Sequence, residues 1–227
     1  MMPLRVLTDL ASPGGRAPSL MVLLPGALQT PETLLEEGMV AAVRARGLAL
    51  DIALVDPSLG TVNEATDGSV AARLDALLAS ARQDYRGLWL GGISLGGLMA
   101  LAHAARHPGR VDGMFLLSPY PGNRLLTAAI EAAGGPVAWA AANETNEADD
   151  EETAWRWLAE NGAAGQPEIY FAHASADRFA AGQRLMAQML PPQRVERIDG
   201  GHDWPSWRKL WNNFLDRNGG RFNGHFA

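Results

Sequence analysis

The chain has 227 residues, of which 47% are hydrophobic and 19% are charged, and its formal net charge at pH 7 is −6. This balance is that of a globular protein, and the negative charge, without a dense run of Lys and Arg, argues against a nucleic-acid partner. The chain has no cysteine, which excludes disulfides, thiolate metal sites and a cysteine nucleophile.

The apolar runs of the chain are short. None approaches the roughly 20 residues that a membrane-spanning helix needs. The run at residues 20–24 is too short, and lies too far inside the chain, to be the core of a signal peptide. We therefore expect a soluble, cytoplasmic protein with no membrane span, and the sequence makes no prediction of its oligomeric state.

The first part of the chain alternates between strand and helix patterns. Residues 3–9 alternate moderately and predict an edge strand, and the continuous apolar run at 20–24 is typical of a strand buried on both faces of a parallel sheet. Helical spacing of apolar residues predicts a helix at 31–46, and a strand follows at 48–55.

The alternation continues through the middle of the chain. A loop at 56–67, rich in Pro, Gly, Ser, Thr and Asn, leads to an amphipathic helix at 69–81. A strand is predicted at 87–93, a helix from there to about Arg106, and another apolar strand at 111–117.

The pattern loosens between residues 120 and 166. Ala-rich helical stretches at 125–133 and 151–160 are separated by an acidic linker at 144–152. One interpretation is a small cap over a functional site; the other is an ordinary crossover helix with a solvated acidic loop. The acidic linker leads us to expect a preference for neutral or cationic over anionic substrates.

The last part of the chain resumes the alternation, with strands at 169–172 and 194–198 and helices at 179–189 and 204–215. Repeated strand–helix units indicate a parallel sheet with right-handed crossovers. We therefore predict the α/β class: a mostly parallel central sheet with helices on both faces, in a single domain over residues 1–227, with at most a short cap-like insertion at 120–166.

The motif that carries chemistry is Gly92-Ile93-Ser94-Leu95-Gly96, a GxSxG pattern between a predicted strand and a predicted helix. On such a turn the backbone is strained, and the serine hydroxyl stands exposed at the sheet edge. The alternative is a plain glycine-rich turn. In this context the pattern favours Ser94 as a nucleophile.

A serine nucleophile needs a base, and histidine oriented by a carboxylate is the usual one. Among the five histidines, His202 lies on a glycine-rich loop after the last strand, at the same sheet edge as Ser94. His103 and His107 have the i, i+4 spacing of two metal ligands on a helix. The glutamate of the metalloprotease motif HExxH is missing between them, and the sequence shows no third ligand, so we expect no metal. His173 could line a pocket but fits a structural role better, and His225 lies in a Gly/Asn-rich tail.

Asp177 is the favoured carboxylate because it follows the strand at 169–172, again at the carboxyl edge, giving the order Ser, Asp, His along the chain. Asp203 is the competitor, but neighbouring residues on a turn rarely point at one another. Asp56 ends an earlier strand and is a weaker candidate.

A serine nucleophile that attacks a carbonyl also needs hydrogen-bond donors for the oxyanion that forms. The amide N–H of Leu95, at the start of a helix, suits that role. The second donor is expected after the strand at 20–24, where Gly26 allows the N–H of Ala27, or alternatively of Leu28, to face Ser94. The alternative is a plain Pro-Gly turn.

Over nearly its whole length the chain resembles the small serine esterases of the α/β-hydrolase superfamily. The resemblance rests on residues 92–97, on His-Pro-Gly-Arg-Val at 107–111, on Asp177 and on Gly-Gly-His-Asp-Trp-Pro-Ser-Trp at 200–207. The last segment is similar to the histidine segment of esterase D-like and mycolyl-transferring esterases.

The resemblance implies a triad of Ser94, Asp177 and His202, with Ala27 and Leu95 as oxyanion donors. It implies hydrolysis of small-molecule carboxylic esters, or thioesters, through an acyl-enzyme, with no cofactor. The chain departs from the family where Pro25-Gly26 replaces the His-Gly of many members, which leaves the second donor open between Ala27 and Leu28.

Leu28, Tyr120 and Trp204 are the candidate substrate-binding residues. Further side chains considered for the acyl pocket are Met99, Trp139 and Trp155. Two other functions stay open: acyl transfer to an alcohol, suggested by the mycolyl-transferase likeness, and a catalytically silent hydrolase fold that serves as a binding module.

Overall fold

The computed structural model describes residues 4–57, 69–144, 146 and 148–223. The predicted loop at 56–67 lies almost wholly outside the described residues, and so does His225. The strands are β1 Arg5–Asp9, β2 Ser19–Leu24, β3 Leu50–Asp56, β4 Gly87–Ile93, β5 Gly113–Leu117, β6 Glu168–Ala174 and β7 Val195–Ile198. The helices are α1 Pro31–Glu36, α2 Met39–Arg44, α3 Ser69–Ala81, α4 Leu95–Arg106, α5 Arg124–Ala132, α6 Pro136–Ala142, α7 Asp150–Asn161, α8 Ala180–Ala187 and α9 Trp204–Asn218.

Within the described residues these strands form one sheet in the order β1-β3-β2-β4-β5-β6-β7. Only β1 runs antiparallel to its neighbour, β3, and every other pair is parallel. The central strands β2 and β4 are buried along their whole length, which their continuous apolar sequences require. The carboxyl ends of β2 to β7 therefore meet at one edge of the sheet.

Helices cover both faces of the sheet. On one face, α3, α4 and α7 pack on the sheet through side chains such as Leu74, Leu98 and Trp155. On the other face, α2 and α9 pack through Met39 and Trp211, and the Trp211 indole N–H donates to the Met39 carbonyl at 2.9 Å. Apolar side chains from both faces of the sheet are thus removed from water, which is the main stabilising term of a two-sided α/β fold.

The prediction of a single helix at 31–46 is wrong, because the structure has two helices there. Thr30 begins α1 with a capping box, and Gly38 separates α1 from α2 with a φ of +80°. A left-handed residue cannot lie inside an α-helix, and glycine adopts that conformation without steric cost. The periodicity of the apolar residues continues across the break, so the sequence pattern alone did not reveal it.

Among the residues of the stretch 120–166 that the structure describes, there is more regular structure than the sequence pattern indicates. It contains α6, which was not predicted, and the acidic linker ends earlier than expected, since Asp149 caps α7 and Asp150 and Glu151 form its first turn. Asp150 pairs with Arg106 of α4, and Glu151 accepts hydrogen bonds from the backbone N–H and side-chain amide of Asn123 at 2.8 and 2.7 Å. Both acidic side chains are buried, so they do not form a solvated loop.

In the part of the chain that the structure describes, no single helix is long and apolar enough to cross a membrane. The pair α5 and α6 reaches the required length and composition only when the two are taken together, and they are bent at 93° to each other.

A buried carboxylate connects the amino-terminal segment to the sheet. Asp51, on β3, has no solvent exposure. Its oxygens accept from the N–H groups of Ala11 and Ala17 at 2.8 and 3.1 Å and from the Tyr85 hydroxyl at 2.9 Å. Burial, together with the neighbouring Asp51, raises the pKa of Tyr85 to about 12. The phenol therefore stays a donor to Asp51 at any pH near neutrality.

We predict that Asp51→Ala destabilises the protein by ~3 kcal/mol, since it leaves several buried donors without an acceptor, whereas Tyr85→Phe costs only ~1–2 kcal/mol. The free energies of unfolding in urea, measured for both variants, test this. Equal losses would show that the backbone contacts of Asp51 contribute little.

Candidate active site

Ser94 lies at the turn between β4 and α4, with φ and ψ of +51° and −115°. A non-glycine residue rarely adopts a positive φ, so this backbone is strained. The main-chain hydrogen bonds of Ser94 hold it in place: its N–H donates to the Leu117 carbonyl at 3.0 Å, and its carbonyl accepts from the Tyr120 N–H at 2.8 Å. The sharp turn places the side chain at the carboxyl edge of the sheet.

The glycines around Ser94 allow backbones to approach closely. A Cβ on Gly92 would lie 2.1 Å from the Gly96 carbonyl oxygen, and one on Gly96 would lie 2.4 Å from the Leu24 carbonyl oxygen. A Cβ on Gly97 would lie 2.7 Å from the Pro119 side chain. The first turn of α4 therefore packs directly on the ends of the strands, which explains the glycines of the motif in steric terms.

The structure brings Ser94, His202 and Asp177 together. The His202 Nε2 atom lies 2.9 Å from Ser94 Oγ, and His202 Nδ1 lies 2.7 Å from Asp177 Oδ2. These residues follow β4, β7 and β6 respectively, so the parallel sheet delivers all three to the same edge. The imidazole connects a hydroxyl on one side to a carboxylate on the other, which is the geometry that activates a serine hydroxyl.

The Asp177 carboxylate is fully buried and is held by neutral donors as well as by His202. The Phe179 N–H donates to Oδ1 at 2.8 Å, and the Gln183 side-chain amide donates to Oδ2 at 3.1 Å. Burial by itself would raise the pKa of Asp177, but the hydrogen bonds from His202, Phe179 and Gln183 outweigh it and keep that pKa below its usual value. Asp177 is therefore ionised at neutral pH.

The loop that carries His202 is fixed to the loop that carries Asp177. The Gly200 carbonyl accepts from the Ala176 N–H at 2.9 Å, and the Gly201 N–H donates to Ser206 Oγ at 3.0 Å. Gly200 has a φ of +153°, and a Cβ there would lie 2.3 Å from Ser206 Oγ. The glycines of this loop are thus needed to bring it against the start of α9.

Aromatic rings restrict the orientation of His202. The rings of Phe179 and Trp207 both contact the imidazole edge-to-face, with centroids 5.0 Å away. Sequence reasoning missed Phe179 and the buried Gln183, because neither belongs to a motif; their places after Asp177, at the start of the helix that follows it, were the only available signal. Trp207 is the last residue of the segment at 200–207 on which the family resemblance rests.

The competing carboxylates lie elsewhere. Asp203 is the N-cap of α9, where its Oδ1 accepts from the Ser206 N–H at 2.9 Å. Asp56, at the end of β3, accepts from the Arg5 side chain at 3.2 Å on the far side of the sheet from β7. Neither carboxylate orients the imidazole.

The expected oxyanion donors lie beside Ser94. Leu95 is the first residue of α4, so its N–H has no partner within the helix, and none among the other described residues. A Cβ on Gly26 would lie only 3.5 Å from Ser94 Cβ, so the loop after β2 passes next to the serine. Within this loop Ala27 is exposed, and Leu28 adopts a positive φ of +62° with a fully exposed side chain.

The candidate substrate-binding side chains differ in their surroundings. Tyr120 packs edge-to-face on Phe179 at 5.2 Å, and Trp204 packs edge-to-face on Trp207 at 5.0 Å, so each is one ring away from His202. Leu28 lies on the loop beside Ser94. The three further side chains considered for the acyl pocket have almost no solvent exposure and belong to the hydrophobic core: Met99, Trp139 and Trp155. Their contact with a substrate stays a prediction.

His103 and His107 form a cluster with Asp75 of α3, away from the triad. The ligand atoms of the three residues lie within 4.8 Å of one another. However, the Arg110 guanidinium already donates to Asp75 Oδ1 at 2.6 Å, whereas His107 Nδ1 and His103 Nε2 lie 3.4 and 3.8 Å from that oxygen. A metal ion would have to displace this cation, so we keep the expectation that the protein binds no metal here.

The other histidine near a strand end, His173, is buried on β6, and its Nδ1 has no hydrogen-bond partner in the described part of the chain. Burial and the nearby Arg197 lower the pKa of His173, so the imidazole is neutral at pH 7. It contacts the Phe171 ring edge-to-face at 5.7 Å. These surroundings are those of a packed side chain.

Residues 55–215 match the esterase family model, whose description is "Putative esterase". No curated protein matches the sequence significantly.

Several solved structures share the fold. Those similar to this chain include a monoacylglycerol lipase from Paleococcus ferrophilus (15% identity, TM-score 0.64, covering 97% of this chain and 100% of that one). They also include a ferulic acid esterase (15% identity, TM-score 0.61, covering 97% of this chain and 98% of that one). A third is the S-formylglutathione hydrolase of Staphylococcus aureus (15% identity, TM-score 0.62, covering 90% of this chain and 82% of that one). These similarities confirm the predicted α/β-hydrolase fold.

The buried His103 gives a prediction for stability at acidic pH. Burial, and then the neighbouring His107, lowers the pKa of His103 to about 4 from its ordinary 6.5. Between these values the unfolded chain binds a proton that the folded protein does not, so the folded state loses stability as the pH falls from 6.5 towards 4. The gap between these two pKa values corresponds to about 3 kcal/mol of folding free energy, lost in full once the pH lies below both of them.

We therefore expect His103→Leu to lose less stability than the wild type between pH 7 and pH 4. The free energy of unfolding by urea, measured across this range, provides the test. Parallel curves for the two proteins would show that His103 does not contribute to acid sensitivity.

Proposed function

The chain belongs to the esterase family, and from that premise we propose that it hydrolyses small-molecule carboxylic esters, and thioesters, through an acyl-enzyme. In this proposal Ser94 is the nucleophile, His202 the general base and acid, and Asp177 the carboxylate that orients His202. The observation that carries the proposal is the His202 ring, whose two nitrogens lie 2.9 Å from Ser94 Oγ and 2.7 Å from Asp177 Oδ2.

The reaction proceeds in two similar halves. His202 Nε2 accepts the proton of Ser94 as Oγ attacks the acyl carbon, and it then donates this proton to the departing alcohol or thiol. A water molecule next loses a proton to His202 and attacks the acyl carbon. Ser94 Oγ leaves and regains its proton from His202, which restores the free enzyme.

The ionised Asp177 stabilises the imidazolium that exists in the middle of each half. Because its side chain is removed from water, its attraction for the charged ring is not screened by solvent. Its hydrogen bond to Nδ1 also fixes the tautomer that leaves Nε2 free to accept a proton.

The oxyanion of each tetrahedral intermediate is assigned to two backbone N–H groups. We assign the first to Leu95, at the positive end of the α4 dipole, and the second to Ala27, with Leu28 as the alternative. Both groups belong to segments that pass next to Ser94, and neither needs a side chain for the task.

The rim of the site is assigned to Leu28, Tyr120 and Trp204, which would contact the substrate outside its reacting bond. The acidic residues at the start of α7 give no support to a preference for cationic substrates, because Asp150 and Glu151 are buried with partners. We therefore propose neutral esters as the substrate class. We also propose that the whole chain is one domain and that the described residues of 120–166 are a packed part of it, since Trp155 is fully buried in the core cluster that contains α4.

Substitutions of the triad test the proposal. We expect the wild type to hydrolyse p-nitrophenyl esters, Ser94→Ala and Asp177→Asn to lose ~10³-fold or more in kcat/KM, and Asp203→Asn to keep nearly full activity. Asp203→Asn is a matched control because asparagine also caps a helix. A wild type that is inactive on every ester and resists labelling by a fluorophosphonate would overturn the esterase proposal in favour of a binding module.

Leu28 provides a test of the rim. Its positive φ suits glycine, and its side chain is fully exposed, so Leu28→Gly should leave the melting temperature unchanged or higher. We expect the same variant to raise KM several-fold for esters of longer acyl chains, with Leu125→Ala, another exposed leucine, as the control. Unchanged KM values across a series of acyl lengths would remove Leu28 from the substrate site.

A further inference from the structure

Gln183 is a buried polar side chain that no motif accounts for. It lies in the first turn of α8 and has no solvent exposure. Its side-chain nitrogen Nε2 lies 3.1 Å from Asp177 Oδ2 and 3.2 Å from the Pro119 carbonyl oxygen. Both neighbours are acceptors only, so the NH2 group, and not the amide oxygen, must face them.

The second contact of Gln183 leads back to the serine. Pro119 precedes Tyr120, whose N–H donates to the Ser94 carbonyl at 2.8 Å. The Pro119 side chain also packs where a Cβ on Gly97 would lie, at 2.7 Å. The segment that receives Gln183 is therefore the one that rests on the turn of Ser94 and on the start of α4.

These contacts close a ring. Starting at Ser94 Oγ, it passes through His202 to Asp177, from Asp177 to Gln183, from Gln183 to the Pro119 carbonyl, and through Tyr120 back to the main chain of Ser94. Gln183 is the member that joins the acid loop to the nucleophile turn. A buried network in which each member is hydrogen-bonded fixes the geometry of all its members.

Burying the side-chain amide of Gln183 costs folding free energy, because one of its polar atoms has no hydrogen bond in the part of the chain that the structure describes. Its oxygen Oε1 is buried and has no hydrogen-bond partner among the described residues. An apolar side chain of similar length would avoid this cost, because burying an unsatisfied polar atom is unfavourable. The benefit that offsets it must lie in the two bonds that the NH2 group donates.

We infer that Gln183 is a positioning residue of the esterase site: it holds the Asp177 carboxylate in line with His202, and it ties this carboxylate to the nucleophile turn. The inference rests on the proposed role of the triad. Gln183 acts through Asp177 and does not contact the substrate.

The main test replaces the donor without adding charge. In Gln183→Met, Asp177 loses a hydrogen bond that favours its ionised form, so we expect kcat to fall about 10–100-fold with KM nearly unchanged. Because the pKa of Asp177 then rises, the acid limb of the pH profile of kcat should move to higher pH. Gln188→Met, at the exposed end of the same helix, is the control and should behave as the wild type.

Gln183→Glu provides the conservative replacement. A buried glutamic acid beside Asp177 keeps its proton at neutral pH, since two carboxylates in contact do not both ionise. Its single O–H can donate to Asp177, but the bond to the Pro119 carbonyl is then lost, because a protonated acid has one donor where the amide has two. We expect this variant to recover part of the activity lost in Gln183→Met at pH 6–7. It should then lose activity at alkaline pH, where the wild type does not. A purely structural role for Gln183 would not produce this additional limb.

The outcomes separate the two proposals. If Ser94→Ala retains the activity, the proposed function itself fails. If Ser94→Ala is inactive but Gln183→Met matches the wild type in kcat and in pH profile, only the role of Gln183 is overturned. Circular dichroism verifies folding, and if Gln183→Met does not fold, the pH profile of Gln183→Glu decides, because a profile like that of the wild type overturns the inference.

Discussion

The close approach of the first turn of α4 to the ends of β2 and β4 is the constraint on which the rest of the structure depends. With backbone atoms this near, side chains at Gly92, Gly96 and Gly97 would overlap the main chain or Pro119. The turn between strand and helix must then be made within one residue, and Ser94 takes the strained conformation that results. The positions of the neighbouring loops follow, since the loop after β2 and the loop after β5 both contact this turn.

The parallel sheet places the residues of the candidate site next to the strained Ser94. β5, β6 and β7 lie in order beside β4, so the loops at their carboxyl ends form a row next to Ser94. In the proposed triad Asp177 comes from the second of these loops and His202 from the third, and the two loops are joined by main-chain hydrogen bonds such as that between Ala176 and Gly200. The geometry of the site therefore depends on contacts between loops as much as on the loops' own sequences.

Much of this arrangement could be predicted because local sequence specifies it. The glycines around Ser94 and the loop with His202 carry strong local signals, and the α/β alternation places both at one edge of the sheet. Gln183 could not be found in this way, because its contact with Pro119 spans 64 positions and depends on how α8 packs. Gly38 and α6 were missed for a different reason: the apolar period runs through Gly38, and Ala-rich sequence has no marked period at all.

The two outer strands of the sheet are short and carry charged side chains, and this affects whether a second molecule can pair with the edges of the sheet. β1 runs antiparallel to its neighbour and presents Arg5, which pairs with Glu32 and Asp56. At the opposite side, β7 is only four residues long and carries Glu196 and Arg197. Short strands and charged side chains make a poor template for the strand of a second molecule. The sheet is thus protected against edge-to-edge aggregation, even though its interior strands are among the most apolar segments of the chain.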